Sequence, residues 1–200
     1  MAERMAVDAE RISSMTRSQQ ARRDRVIEAA LQLAEEGGYD AVQMRDVAST
    51  ASVALGTIYR YFASKDHLLA AALVEWSSDL KRRLAVRPPR GDTPAERVVD
   101  VVSRAHRSME RHPQLAAALI TAVTSPDPAI VEYQREMMAI LGEVLSLPME
   151  GVDEQLRDAV LRVLTHVWFA TLLGWVNGWN DQSEVAEELE VAARLLLRDA

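Results

Sequence analysis

Residues 51–69 read ASVALGTIYRYFASKDHLL, with a glycine, two tyrosines, a phenylalanine, an arginine and a lysine inside a few helical turns. Leu55, Ile58 and Phe62 recur at helical spacing, which predicts a short helix over 55–62 with that face buried. Just upstream, Met44, Val47, Ala48 and Ala51 fall at i, i+3, i+4 and i+7, which predicts a second short helix over roughly 44–51. Ser52-Val53-Ala54 is left as a three-residue turn between them. Two short helices joined this way form the helix-turn-helix arrangement, whose second helix enters a DNA major groove.

The face opposite Ile58 carries chemistry suited to that groove. Gly56, Thr57, Arg60 and Tyr61 point away from the buried side. Gly56 lets a backbone come close, and Thr57 can hydrogen-bond a base edge or touch a thymine methyl. Tyr61 and Tyr59 can reach phosphates through their hydroxyls, although Tyr59 also lies close enough to the buried face to be core. Lys65, in the first turn of the next helix, adds a phosphate contact near that helix's N-terminal amides. Arg60 is either a groove contact or a solvated charge.

Charge along the chain supports a polyanion partner for this part alone. The formal net charge of the whole is −7, but residues 17–90 carry +3 and residues 91–200 carry −9, residues 1–16 holding −1. A basic first module joined to an acidic body places DNA at the first. Arg17, Arg22, Arg23 and Arg25 are either a DNA-directed arm or simply a charged helix start.

Working outward, residues 1–16 read as a flexible tail. Helix is expected from Arg17, with Val26, Ala29, Ala30 and Leu33 on one face, ended by the pair Gly37-Gly38. A fourth helix runs from about Ser64 to Ala85, capped by Ser64 with Asp66 in its first turn. Arg87-Pro88-Pro89-Arg90-Gly91-Asp92 reads as a linker. It separates a DNA-binding domain over 17–86 from a second helical domain over 93–200. Thr93-Pro94-Ala95-Glu96 restarts helix with a capping box, and Pro113 stops it. Further helices are expected over 113–123, 128–146, 153–179 and 183–198. No strand or repeat is legible, so the fold class is all-α.

The segment GGYDAVQMRDVASTASVALGTIYRYFASKDHLL resembles the N-terminal domain of the TetR family of bacterial transcriptional repressors, over about residues 20–70. Its motif is Gly, small polar, aliphatic, Tyr, any residue, Tyr or His, Phe, then Lys three residues on. The resemblance implies phosphate contacts for Gln43, Tyr59, Tyr61 and Lys65, and base-edge contacts for Thr57 and Arg45, with Leu55 and Gly56 at the groove surface. Two positions depart from the pattern. Ser52 stands where the family often has Gly, and Ala54 where it often has a capping Ser or Thr, a loss of about 1 kcal/mol for the helix.

The resemblance also implies that the last two long helices pair with their copies in a homodimer, which two half-sites of a palindrome require. Gly174 and Gly178 would permit close approach there, with Trp175, Trp179, Leu189 and Leu196 in the interface. The middle helices would enclose a pocket for a small apolar inducer, with Met109, Leu115, Leu119, Met137, Met138, Leu141, Trp168 and Leu172 as lining candidates. Methionines also fill irregular cores, and for any one of these the core reading outweighs the pocket one. GGYDAVQMRDVA, VALGTIYRYFASK, VWFATLLGWV and AARLLLRD together resemble one branch of the family, the KstR-type repressors of cholesterol catabolism in actinobacteria. That likeness implies a steroid-CoA or other acyl-CoA thioester as inducer, with Arg104, Arg107, Arg111 or Arg135 supplying cations for the CoA. The alternative is a DNA-binding regulator with no small-molecule inducer, or an activator.

Other classes fit poorly. There is no cysteine, hence no disulfide framework or thiolate nucleophile. No His-Glu-x-x-His, phosphate loop or dinucleotide glycine turn occurs. Ser78-Asp79-Leu80-Lys81 spells Ser-x-x-Lys without the partner motifs that give it meaning. His67, His106, His112 and His166 lack metal-ligand spacing. No enzyme activity, metal or cofactor is expected. The N-terminal stretch carries no apolar signal core, and the apolar run Val163–Val176 is short for a bilayer span. A cytoplasmic protein, nucleoid-associated when bound to DNA and without a membrane partner, is the expectation.

Overall fold

The structure, a computed structural model, describes residues 16–198 and 200, so the expected tail lies outside the described residues except for Thr16. In chain order the helices are α1 (Arg17–Ala41), α2 (Met44–Thr50), α3 (Leu55–Tyr61), α4 (Lys65–Val86), α5 (Pro94–Arg111), α6 (Pro113–Val123), α7 (Val131–Ser146), α8 (Glu154–Val176) and α9 (Gln182–Leu196). Short 3-10 turns precede and follow α7, over Pro128–Ile130 and Leu147–Met149. The described residues contain no strand, and the fold is all-α.

Local chemistry sets the boundaries. Thr16 and Gln19 form a capping box at the start of α1, and Thr93 and Glu96 form another at the start of α5. Ser64 caps α4, its hydroxyl accepting from the His67 amide at 3.1 Å. Gly37-Gly38 breaks α1 as expected, Gly38 taking φ +70°, a region that favours glycine. The chain then makes one more helical turn to Ala41, so the break is a kink rather than an end.

Two apolar cores result, and they do not divide at the 87–92 linker. The first joins Val26 and Ala30 of α1, Val47 of α2, Ile58 of α3 and Leu68 of α4 to Leu115 and Leu119 of α6, with Phe62 fully buried among them. The second joins Val74 and Leu84 of α4 to Val98 and Val102 of α5, Val144 of α7, Leu164 and Trp168 of α8, and Leu189 of α9. Helix α4 therefore spans both cores, and α6, which follows the linker, is built into the first. Helix α4 is thus a continuous packed connection between the second core and the helix-turn-helix.

Candidate DNA-reading head and ligand cleft

The helix-turn-helix is α2, the turn 51–54 and α3. Its turn is closed by backbone bonds, Val53 N–H donating to Ala48 O at 3.0 Å and Thr57 N–H to Ala54 O at 2.8 Å. Ser52 takes φ +53°, the left-handed region where glycine is at ease, which accounts for the glycine commonly found there. Ala54 stands at the N-cap of α3 and offers no side-chain acceptor.

Leu55, Gly56, Tyr59 and Arg60 lie on the exposed side of α3, with Thr57 half-buried. Gln43 and Arg45 are exposed at the start of α2, and Gln43 Nε2 donates to Asp40 O at 2.9 Å. Tyr59 is 53 % exposed, so of its two readings the core one does not hold. Gly56 is informative because nothing lies within 4 Å of where a Cβ would stand. The fold itself has no need of glycine there, and glycine costs a helix about 0.5–1 kcal/mol relative to alanine.

Tyr61 differs from the sequence expectation. It is half-buried against the first core, and its hydroxyl is buried with no hydrogen-bond partner among the described residues. The reason is helical geometry, since position 61 lies three residues from Ile58 and so at the edge of the buried face. The Arg60 guanidinium sits 5.4 Å from the Tyr61 ring centroid.

Lys65 is held in place by Tyr39. Its ammonium donates to Tyr39 O at 3.1 Å and lies 3.6 Å from the Tyr39 ring centroid. The Tyr39 hydroxyl in turn donates to Asp66 at 2.5 Å. Burial, helped by the Asp66 carboxylate, pushes the Tyr39 pKa up to about 12, so this anchor stays protonated at neutral pH. An ammonium has three donors, so one bond to Tyr39 leaves capacity for a phosphate oxygen.

The second feature is an apolar cleft between α4, α5, α7 and α8 with about 100 Å³ of free space, small beside the roughly 300–1,000 Å³ of a ligand-filled site, so a large occupant has to widen it. Met109, Met137, Met138, Leu141, Trp168 and Leu172, six of the lining candidates, do line it. Leu115 and Leu119 do not, because α6 turns them toward α1 in the first core. The sequence reading missed the wall supplied by α4, namely Leu73, Trp76, Ser77, Leu80 and Arg83. Their helical spacing was legible, but α4 had been assigned wholly to the DNA-binding domain. None of the four arginines expected to serve a CoA lines the cleft. Arg104 is engaged with Arg87 O at 2.5 Å, Pro88 O at 3.2 Å and the Asp100 carboxylate, and Arg135 with Glu132.

The outer side of α8 and α9 carries an uncovered apolar stripe among charged residues. Leu156, Val163 and Ala170 recur every seven residues on exposed α8 positions, and on α9 Val191 and Leu195 are more than half exposed. Trp179, between the helices, is 75 % exposed, Trp175 and Leu196 are half-buried, and Gly178 is exposed. Leu189, by contrast, is 1 % exposed and belongs to the protomer's own second core. Gly174 is buried against its own chain, the Asn180 side chain filling the space of a Cβ. Val191 and Leu195 thus replace Leu189 on the outward face.

Comparison with known proteins agrees with this division of parts. Residues 26–72 match the bacterial regulatory proteins of the tetR family, and residues 91–196 match the tetracyclin repressor-like C-terminal domain. The chain is 38 % identical over 185 residues to the HTH-type transcriptional repressor KstR of Rhodococcus jostii, covering 91 % of this chain and 85 % of that one. A crystal structure of a TetR transcriptional regulator from Rhodococcus sp. RHA1 superposes with a TM-score of 0.79 at 30 % identity, covering 91 % of this chain and 98 % of the other. The Thermus thermophilus FadR in complex with lauroyl-CoA superposes with a TM-score of 0.64 at 25 % identity, covering 88 % and 93 %. With both halves matched, the chain belongs to the TetR family of bacterial transcriptional regulators.

Proposed function

We propose that the protein is a dimeric transcriptional repressor that reads a palindromic operator through α2 and α3 and leaves it when an acyl-CoA or steroid-CoA thioester fills the cleft. The observation that carries this reading is the dual role of α4. Its N-terminus follows α3 after three residues and is tied to the end of α1 through Lys65, and its Leu73–Arg83 stretch is one wall of the cleft. A ligand that moves this wall biases the orientation of the head, which is what coupling between two sites requires.

A second connection runs from the opposite wall. Helix α7 carries Met137, Met138 and Leu141, and its leading turn is capped by Asp127. Asp127 also accepts from Ser64, the cap of α4. The Tyr133 ring on α7 lies 5.2 Å from the His67 ring, which lies 5.8 Å edge-on from Phe62 at the end of α3. Both cleft walls therefore lead to the recognition helix.

Dimerisation is supported by the outer face of α8 and α9. Helix α8 is long and apolar enough to cross a membrane, yet only 22 % of its most apolar window is buried within the protomer. A second copy covering Leu156, Val163, Val191 and Leu195 accounts for that apolar excess, and two-fold symmetry suits a palindrome. The ligand class rests on the apolar lining and on the relatives, a KstR repressor and a FadR bound to lauroyl-CoA.

The test is selection of bound duplexes from a random library at about 0.15 M salt, followed by anisotropy of the selected duplex with and without acyl-CoA and steroid-CoA thioesters. An enriched inverted repeat released by such a thioester is expected. Enrichment of an inverted repeat that no thioester releases would retain the DNA-reading half and remove the inducer.

A further inference from the structure

Among the described residues the cleft has one charged side chain in its lining, Arg83, in the last turn of α4. Everything else there is apolar or neutral, the hydroxyls of Ser77 and Ser108 included. We propose that Arg83 is the anion-binding residue of this cleft, and that the occupant is an amphipathic anion whose charged group sits at Arg83 and whose apolar body runs along α4 toward Leu73. The inference rests on the ligand cleft proposed above and specifies which end of the ligand goes where.

Three observations support it. Leu73, Trp76, Leu80 and Arg83 follow one stripe of α4, and ten residues of helix at 1.5 Å each give about 15 Å from the apolar end to the charge. That length suits a medium-chain acyl group or a fused-ring hydrocarbon. Arg83 is at present paired with Asp79, one turn earlier on the same helix, so the site already holds a carboxylate in the place of a ligand's anion. Asp79 is also paired with Arg82 at 3.1 Å, and the two arginines hold its carboxyl below the usual carboxylate range despite partial burial. The Arg83 side chain is 56 % exposed and the pair lies at the surface, where such pairs contribute little, so a ligand can take Arg83 at small cost while Arg82 stays with Asp79.

The anion could be a carboxylate or a phosphate, and matched probes separate the two. Dodecanol, dodecanoate and dodecyl phosphate are titrated calorimetrically into the full-length protein and into R83Q, D79N and D79N/R83Q. One or both anions are expected to bind the wild type about tenfold more tightly than dodecanol, the scale of a hydrogen bond to a charged group. R83Q removes that preference and leaves dodecanol affinity unchanged, whereas D79N, which lifts the competing carboxylate, strengthens it. A preference for dodecyl phosphate alone identifies phosphate, one for dodecanoate alone identifies carboxylate, and one shared by both identifies a site for either anion.

The double variant controls for repulsion by an unpaired Asp79. It should bind anions as weakly as R83Q, and recovery of the preference would overturn the assignment. Equal weakening of all three probes in R83Q would make Arg83 structural and overturn it as well. Binding of all probes to the wild type without regard to charge would leave the cleft reading standing and remove the anion site. Failure of every probe to bind would remove both.

Discussion

Ser64 Oγ donates to Asp127 Oδ2 at 2.9 Å, joining the residue that caps α4 to the residue that caps the turn leading into α7. One hydrogen bond thus links both walls of the cleft at the end nearest the reading head. Asp127→Ala cuts it without touching the cleft lining or the outer face of α3. The expected outcome is a smaller factor by which lauroyl-CoA weakens operator binding, with either affinity measured alone changed little. Anisotropy titrations of DNA at zero and saturating ligand give that factor. If it is unchanged, the coupling runs through α4 alone.

The same carboxylate makes an acid-dependent contribution to stability. The Ala129 amide, then the Ser64 hydroxyl and the neighbouring His67, hold its pKa below the ordinary value. A depressed folded-state pKa means stability that is fully present above the unfolded value of about 3.9 and is lost as pH falls through the folded one. Asp127→Asn should therefore be less stable than wild type at neutral pH, with the gap closing below about pH 4. Thermal melts of both proteins across that range decide it, and a gap that persists unchanged into acid would assign the stabilisation elsewhere.

The turn of the helix-turn-helix holds two removable costs. Ser52 adopts φ +53° without being glycine, and Ala54 caps α3 without an acceptor. Ser52→Gly should relieve about 1 kcal/mol of left-handed strain, and Ala54→Ser should add about 1 kcal/mol as a cap. Denaturant midpoints that rise in both, and add in the double variant, are expected. A fall for Ser52→Gly would mean that the entropy of the glycine chain outweighs the strain.

These two residues also show how far the sequence carried. Their departures were visible as residue types, and the structure supplied the backbone conformation that gives the first its cost. Every α-helix was legible, because capping boxes, prolines and apolar spacing act locally, whereas the 3-10 turns flanking α7 and the turn of α1 beyond Gly38 were not. The cleft was legible only from the C-terminal side. Trp76 and Leu80 sit at plain helical spacing, but nothing in a one-dimensional pattern says that α4 leaves the first core and enters the second. Leu189 was misplaced for a related reason. Val185, Leu189 and Ala193 form one face of α9 and Val191 and Leu195 another, and periodicity does not say which face the protomer covers itself.

That distinction makes the interface testable. Val163→Glu and Leu195→Glu each place a charge on the uncovered face, where the protomer's own packing is unaffected. Sedimentation should show the dimer dissociation constant raised about tenfold or more, the scale of losing an interface anchor. Circular dichroism should show helicity retained. Dimers that survive both changes would place the interface on another surface.

Gly56 offers the sharpest separation of stability from function. It lies inside α3 with open space where a Cβ would be, so Gly56→Ala meets no clash in the free protein. Alanine is the better helix former, and the variant should gain about 0.5–1 kcal/mol in unfolding free energy. Operator affinity should move the opposite way, because the added methyl lies on the outward side that the backbone presents to the groove. Chemical denaturation and anisotropy on one preparation read both quantities. Stability and affinity rising together would mean that the glycine serves neither the fold nor a close approach to DNA, and the docking face of α3 would have to be redrawn around Tyr59 and Arg60.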